Sequence, residues 1–223
     1  MRKHYSMKEA AGISIRCASD YKNFLENKNY IFIYLDRQKN KIDFFEAIFL
    51  PRHFMHLTGL SYKEKYKKQL GLKPTEQGAG NFYNECLNKT IQEENIQEKP
   101  DGTTSLKLEA LPQLINFLRI ANMTVTYNGS RPYLICDRFA GTTKCALGFI
   151  KESTGYFAPT SCLNEDIRNL GDSPSRILAI FTKNTSEKIY TSIKYVVKKV
   201  PLNKLNFPEK LKNKISLEEY RSK

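Results

Sequence analysis

Apolar positions along this chain change their spacing near its middle. Over residues 6–27, Ala10, Ala11, Ile13, Ile15, Ala18, Tyr21, Phe24 and Leu25 recur at roughly helical spacing, interrupted by Gly12, which predicts a helix packed on a sheet. Tyr30 to Leu35 then reads as a strand of aromatic and β-branched residues, residues 36–41 as a polar turn, and Ile42 to Leu50 as the second strand of a hairpin. Pro51 closes it, because proline cannot donate to a ladder. Arg52 to Gly59 is a short helix stopped by a glycine, and it brings His53 and His56 close together. Residues 62–73 form a basic, tyrosine-interleaved loop or frayed helix, and Asn81 to Ile91 an amphipathic helix. After turn chemistry at residues 99–104 comes a helix with Leu111, Leu114, Ile115, Leu118 and Ala121 buried and Pro112 in its first turn.

From Thr124 the period shortens. Val125 to Tyr127, Tyr133 to Cys136, Cys145 to Lys151, Tyr156 to Ser161, Ile177 to Lys183 and Ile189 to Val200 read as strands, with turns at Asn128-Gly129 and Ala140-Gly141 and one helical turn over residues 163–169. The fold class is therefore α+β: helices and a β-hairpin over about residues 1–123, then an antiparallel β-meander over about 124–200, in one domain. From Lys198 onward eight basic residues (Lys198, Lys199, Lys204, Lys210, Lys212, Lys214, Arg221 and Lys223) stand against Glu209, Glu218 and Glu219, and residues 201–223 read as a basic C-terminal extension, an appendage or weak helix rather than core. There is no internal repeat and no low-complexity tract.

Composition narrows the partners. With 223 residues, 40% of them hydrophobic, the chain can bury a sizeable core. A formal charge of +13 points to polyanions: RNA, DNA or an acidic protein, with a merely solvated basic surface as the plain alternative. The five cysteines have no CxxC spacing and follow no signal-like segment, so a soluble, cytoplasmic protein is expected, and no run approaches the ~20 apolar residues of a membrane helix. Three histidines without HExxH, scattered acidic residues and the lack of glycine-rich phosphate loops give no support for a metal or a nucleotide cofactor. An enzyme of this composition works with side chains alone.

RNA carries its own nucleophile, the 2′-hydroxyl, so cutting it without a metal needs only a base, an acid and donors that steady the phosphorane. Lys183, after Thr182 at the end of the most apolar strand, is a candidate phosphate contact, or else a solvated strand cap. Tyr156, Thr160 and Ser161 sit on the neighbouring strand; Ser161 either donates to a phosphate oxygen or caps the turn at Leu163. His56 is the titratable group suited to neutral pH, unless it simply packs beside Phe54 and Leu57. Lys107, Arg138, Lys144 and Arg168 fall near sheet edges or loops, where they contact phosphates or form ordinary salt bridges.

Several blocks in order carry a resemblance: Phe54-Met-His-Leu-Thr-Gly-Leu60, Phe82-Tyr83, Asp101-Gly-Thr-Thr-Ser-Leu-Lys-Leu108 with Leu111-Pro-Gln-Leu114, Asn122-Met123, Asp137-Arg-Phe-Ala-Gly141, Leu147-Gly-Phe-Ile150, Tyr156-Phe-Ala-Pro-Thr-Ser161, Asn164-Glu-Asp-Ile-Arg168, and Ile180-Phe-Thr-Lys183 with Tyr190. From Tyr21 to Lys198 the chain resembles a group of phage-associated nucleases in the barnase/EndoU/colicin/RelE-like superfamily. Phe157-Ala158 and Thr160 depart from the pattern expected there. The resemblance implies a helical part followed by an antiparallel sheet whose concave face binds RNA, and metal-independent cleavage leaving a cyclic phosphate. It marks His56, Lys107, Tyr156, Ser161, Arg168, Lys183 and Tyr190 as candidates.

The reading is a metal-independent endoribonuclease, a toxin or phage-defence effector, with RNA as substrate and an antitoxin or immunity protein as a partner. His56, Lys183, Tyr190 and Ser161 are its catalytic candidates; Lys107, Arg138, Lys144, Tyr156, Arg168 and Thr182 are its substrate-binding ones. The rivals are a non-catalytic RNA-binding or regulatory protein using the same basic sheet, and an interaction module docking on an acidic antitoxin or capsid protein.

Overall fold

Ser6 starts the first helix by a reciprocal cap: its hydroxyl accepts from the Glu9 N–H at 3.2 Å, and the Glu9 carboxylate accepts from the Ser6 N–H at 2.8 Å. Helix α1 then runs over Met7–Phe24 in the computed structural model, which describes residues 4–73, 75–129 and 133–221. Strands β1 (Lys28–Asp36) and β2 (Lys41–Phe49) form the expected hairpin. A tight turn at Pro51–His53 leads into α2 (Phe54–Thr58), β3 (Leu60–Tyr62), α3 (Glu64–Gln69), α4 (Ala79–Asn88) and β4 (Ile96–Glu98), the two short strands pairing with each other. The hydrophobic helix is in fact two, α5 (Thr104–Ala110) and α6 (Leu114–Ile120), and Pro112 lies in the tight turn between them. Its missing N–H and its ring clash interrupt the ladder there.

The remaining strands are β5 (Met123–Thr126), β6 (Arg138–Gly141), β7 (Ala146–Lys151), β8 (Phe157–Leu163), β9 (Ser175–Asn184) and β10 (Ser192–Val196). Two local expectations fail. Tyr133 to Cys136 is not a strand, and Ala140-Gly141 is the end of β6 rather than a turn. Gly141 serves close approach: a Cβ there would lie 2.1 Å from the Cys145 carbonyl oxygen.

The larger departure is in topology. The strand order β1-β2-β8-β7-β6-β5-β9 returns to β1, because β1 pairs with β9 from Lys28↔Asn184 to Leu35↔Arg176. The sheet is thus a closed barrel with β10 added on β9, and the hairpin belongs to it instead of preceding a separate meander. Closure leaves no long unpaired edge on β1. The seam shortest in backbone pairing is β2 against β8, a single parallel pairing at Ala47↔Phe157.

Both faces of β1 are buried. Tyr30, Phe32 and Tyr34 join Phe45, Phe49, Phe149 and the Tyr21 ring of α1 in the main core, where Phe32 and Phe45 stack at 4.6 Å. Ile31 and Ile33 face the other way, with Ala179 and Phe181, and are covered by Leu202, Phe207, Leu211 and Ile215. The segment expected to be an appendage therefore packs on the sheet, through two short helices, α7 (Glu209–Lys212) and α8 (Glu218–Arg221). Tyr190 holds it by backbone bonds, donating to Lys214 O at 2.8 Å and accepting from Ser216 N at 2.9 Å. Lys223 of the basic tail lies outside the described residues. Among those described, no helix is long and apolar enough to cross a membrane.

Candidate active site

Gly59 organises the site. It ends α2 in the left-handed region at φ 71°, and a Cβ there would sit 2.8 Å from the Thr104 Cα and 3.2 Å from the Lys107 side chain, so only glycine lets α5 come this close. Its carbonyl accepts from the Thr104 hydroxyl at 2.6 Å and from the Lys99 N–H at 3.0 Å. One residue thereby fixes α2, the turn at residues 99–103 and the first turn of α5 against one another. Asp101 shapes that turn, accepting from the Thr103 N–H at 2.9 Å and from its hydroxyl at 2.7 Å.

These elements and β8 enclose a cavity of about 360 Å³. One wall is apolar, made by Leu134, Ile135, Ile150, Ala158 and Pro159; the other carries charge. Lys99 Nζ lies 3.2 Å from His56 Nδ1, and since an ammonium can only donate, Nδ1 accepts and the imidazole proton sits on Nε2. Lys107, only 5% exposed, donates to the His56 carbonyl at 3.3 Å. Among the described residues neither lysine makes an ion pair.

The charges are under electrostatic pressure. Burial, then Lys99, Lys107 and His53, push the pKa of His56 down to about 4, so the ring is neutral at neutral pH. Burial brings Lys107 down to about 8, with Asp101 opposing and Lys99 adding to the fall, and burial lowers Lys99 as well. Burial disfavours the Asp101 carboxylate, yet its bonds from Thr103 and the pull of both lysines outweigh that and hold its pKa below the usual range. Across the cavity, Arg52 Nη2 reaches both oxygens of Glu152 at 3.1 and 3.3 Å. His53 is buried with Nδ1 at the Leu50 N–H, and its Nε2 lies 3.4 Å from Glu152 without hydrogen-bond geometry. Burial first, then Arg52, lower the His53 pKa, against Glu152.

This predicts an acid limit to stability. Both histidines have folded pKa values below their unfolded ones, so the unfolded chain binds more protons, and stability is full above the unfolded value near 6.5 and falls as pH drops toward 4. His56 alone contributes about 2 to 3 kcal/mol across that window. Denaturant midpoints measured through the window should fall in the native chain and flatten in His56→Asn; an equal slope in both would mean His56 is not held neutral.

Of the residues singled out from sequence, the fold brings His56, Lys107 and Ser161 into this cavity, together with Thr160. Ser161 does not cap the following turn, which Asp166 caps by accepting from the Arg168 N–H at 2.9 Å. The others lie elsewhere. Lys183 is on the outer face of β9, donating to the Lys188 carbonyl at 3.3 Å with its ammonium 5.0 Å from the Tyr190 ring centre. Tyr190 is fully buried under the tail and donates to Glu46 at 3.0 Å; burial and that carboxylate push its pKa up, out of the range of proton transfer at neutral pH. Tyr156 does not line the cavity. Thr182 is spent on the Asn29 carbonyl, Arg138 stacks over Tyr34 and Phe45, Arg168 is clamped by Asp166, and Lys144 is exposed on a turn. Sequence reasoning missed Lys99, Asp101, Arg52, His53 and Glu152 as site residues. The close spacing of His53 and His56 was visible, whereas Lys99 and Asp101 looked like turn chemistry only.

Residues 15–199 match the family model described as phage-Barnase-EndoU-ColicinE5/D-RelE like nuclease 4. The chain belongs to this nuclease family. The match takes in α1 from its middle, the whole barrel and every residue of the cavity, and stops before α7 and α8. No curated protein and no solved structure matches the chain. The mixed α and β architecture, a strand barrel with several helices, is consistent with a barnase-like nuclease. Among the described residues of this nuclease, no group of three or more His, Cys, Asp or Glu is placed to hold a metal ion.

Proposed function

We propose that this nuclease cuts RNA in the cavity at His56, using the substrate's own 2′-hydroxyl. The observation that carries the reading is the pair of ammonium groups, buried Lys107 and half-buried Lys99, around a neutral imidazole, with no carboxylate in ion-pair contact with either lysine among the described residues. Asp101 offsets the two lysines only at a distance and Glu152 is taken up by Arg52, so a phosphodiester supplies the anion that would meet the ammonium groups directly. Lys99 and Lys107 hold the non-bridging oxygens, and the His56 Nε2–H donates to them as charge builds on the phosphorane. Lys99 keeps that proton on Nε2.

The 2′-oxygen attacks phosphorus as its proton passes to the Glu152 carboxylate, which Arg52 steadies. The new P–O2′ bond forms as the P–O5′ bond breaks, and the departing 5′-oxygen takes a proton from Lys107, whose pKa near 8 keeps it charged at neutral pH yet acidic enough to give it up. The product is a 2′,3′-cyclic phosphate and a free 5′-hydroxyl. A chain that cuts cellular RNA fits a toxin or defence effector, and its +13 charge suits an acidic immunity partner.

The test is a defined RNA incubated with the purified chain in a metal chelator, beside the same RNA carrying one 2′-deoxy residue at the cut site. Cleavage with cyclic-phosphate ends that fails at the deoxy position is expected. Equal cutting of the deoxy strand, or cutting that the chelator stops, would sink the mechanism, and RNA that is bound but intact would leave a binding protein.

A further inference from the structure

A second groove, distinct from the cavity and sharing none of its residues, lies where the β1–β2 turn, the start of β9 and β10 meet. Arg37, Arg168 and Arg176 line it above a floor that includes Tyr195, Met123 and Val197, and its volume is about 430 Å³. Backbone pairing creates the crowding. Leu35 pairs with Arg176, and the Arg37 N–H reaches the Ser175 hydroxyl at 3.3 Å, so Arg37, the first residue of the turn after β1, is held beside the start of β9, where Arg176 lies. Only Arg168 has a carboxylate, Asp166, which takes its Nε at 3.0 Å and its Nη2 at 2.6 Å. Among the described residues Arg37 and Arg176 make no ion pair. Three exposed guanidiniums beside one carboxylate leave the groove net positive, a charge that solvent and salt screen and that a bound anion would offset.

We propose that this groove binds the phosphodiester backbone of the RNA away from the scissile bond. The inference rests on the RNA reading of the cavity and adds a second anchoring site to it. Guanidinium forks match phosphate oxygens in pairs, and the half-buried Tyr195 ring beneath them offers a flat face for a base or ribose. An acidic protein would also be drawn to these charges, but a groove of about 430 Å³ lined by a tyrosine ring suits a nucleotide segment of a single strand better than a folded surface. In this arrangement the groove supplies affinity and register, and the cavity supplies chemistry.

The measurement is binding of a long, non-cleavable 2′-O-methyl RNA by Arg37→Gln/Arg176→Gln and by the native chain over a range of salt, with a 2′-O-methyl dinucleotide as the short probe. Loss of two phosphate contacts should lower the slope of log affinity against log salt by about 1.4, at ~0.7 per contact for a single strand, and weaken long-RNA binding at low salt. Dinucleotide affinity, set by the cavity, should stay the same. An unchanged slope while the native chain still cuts RNA would overturn the groove alone. A native chain that binds neither probe would overturn the RNA reading together with it. Loss of dinucleotide binding in the variant would show that the groove is not a separate site, and a variant that loses affinity for polyglutamate but not for RNA would assign the groove to an acidic protein instead.

Discussion

Lys107→Met should lower the single-turnover rate of RNA cleavage by roughly 10²- to 10³-fold, the scale of removing one preorganised donor from a developing anion. In the proposed mechanism the loss is compounded, because the same ammonium protonates the leaving oxygen. The fold should not suffer. Lys107 is almost wholly buried, makes no ion pair among the described residues, and has its pKa pulled down to about 8 by burial, so its charge is a cost to the folded state. Replacing a poorly compensated buried charge by an apolar side chain of similar length is often neutral or stabilising. The combination is diagnostic: cleavage collapses while the unfolding midpoint holds or rises. A catalytic loss accompanied by a fallen midpoint would reduce Lys107 to a structural role, and an unchanged rate would remove it from the mechanism.

Ending the chain after Pro201 should leave no cooperatively folded nuclease. Leu202, Phe207, Leu211 and Ile215 are each buried against β1 and β9, and their burial is worth about 1.5 to 3 kcal/mol apiece, so the four together approach the whole stability of a typical domain, about 5 to 15 kcal/mol. The truncated chain would also expose Ile31, Ile33 and Phe181 and strip Glu46 of its 2.6 Å contact with Lys214. Leu211→Ala is the graded version, with an expected loss of about 2 to 5 kcal/mol in denaturant unfolding. A truncated chain that unfolds at the native midpoint would restore the view of residues 201–223 as an appendage.

That view arose because lysines masked the tail's apolar residues, yet β1 already carried the correction. A strand with one wet face alternates, and Tyr30-Ile-Phe-Ile-Tyr-Leu35 does not. Tyr30, Phe32 and Tyr34 are satisfied by the helices and the barrel interior, so Ile31 and Ile33 require a second cover, which the pattern of strands before residue 200 does not provide. The strands themselves were legible because aromatic and β-branched residues cluster in them. Their pairing was not, since the partner of β1 lies far along the chain and period-2 alternation says nothing about which strand comes next.

The same divide runs through the site. His56 and Lys107 stood out by residue type, but Lys99 gains its chemistry only when Gly59 docks its turn against α2, a contact that no local pattern encodes. Lys183 and Tyr190 misled for the opposite reason. As residue types they suit phosphate chemistry, and only the register of β9 shows that Lys183 shares the outer face with Phe181 while Tyr190 lies beneath the tail.

The pairing of β1 with β9 also sets an order of events during synthesis. Lys28 leaves the ribosome long before its partner Asn184 exists, so the first hairpin waits with one edge open while the intervening chain is made. Joining ends so far apart carries a loop-closure cost and marks a slowly folding topology. The cavity wall on β8 is likewise made well after His56. On the RNA reading proposed above, cutting power therefore arrives late, after β9 has emerged, and a nascent chain still short of that strand would be harmless to the messenger from which it is being read.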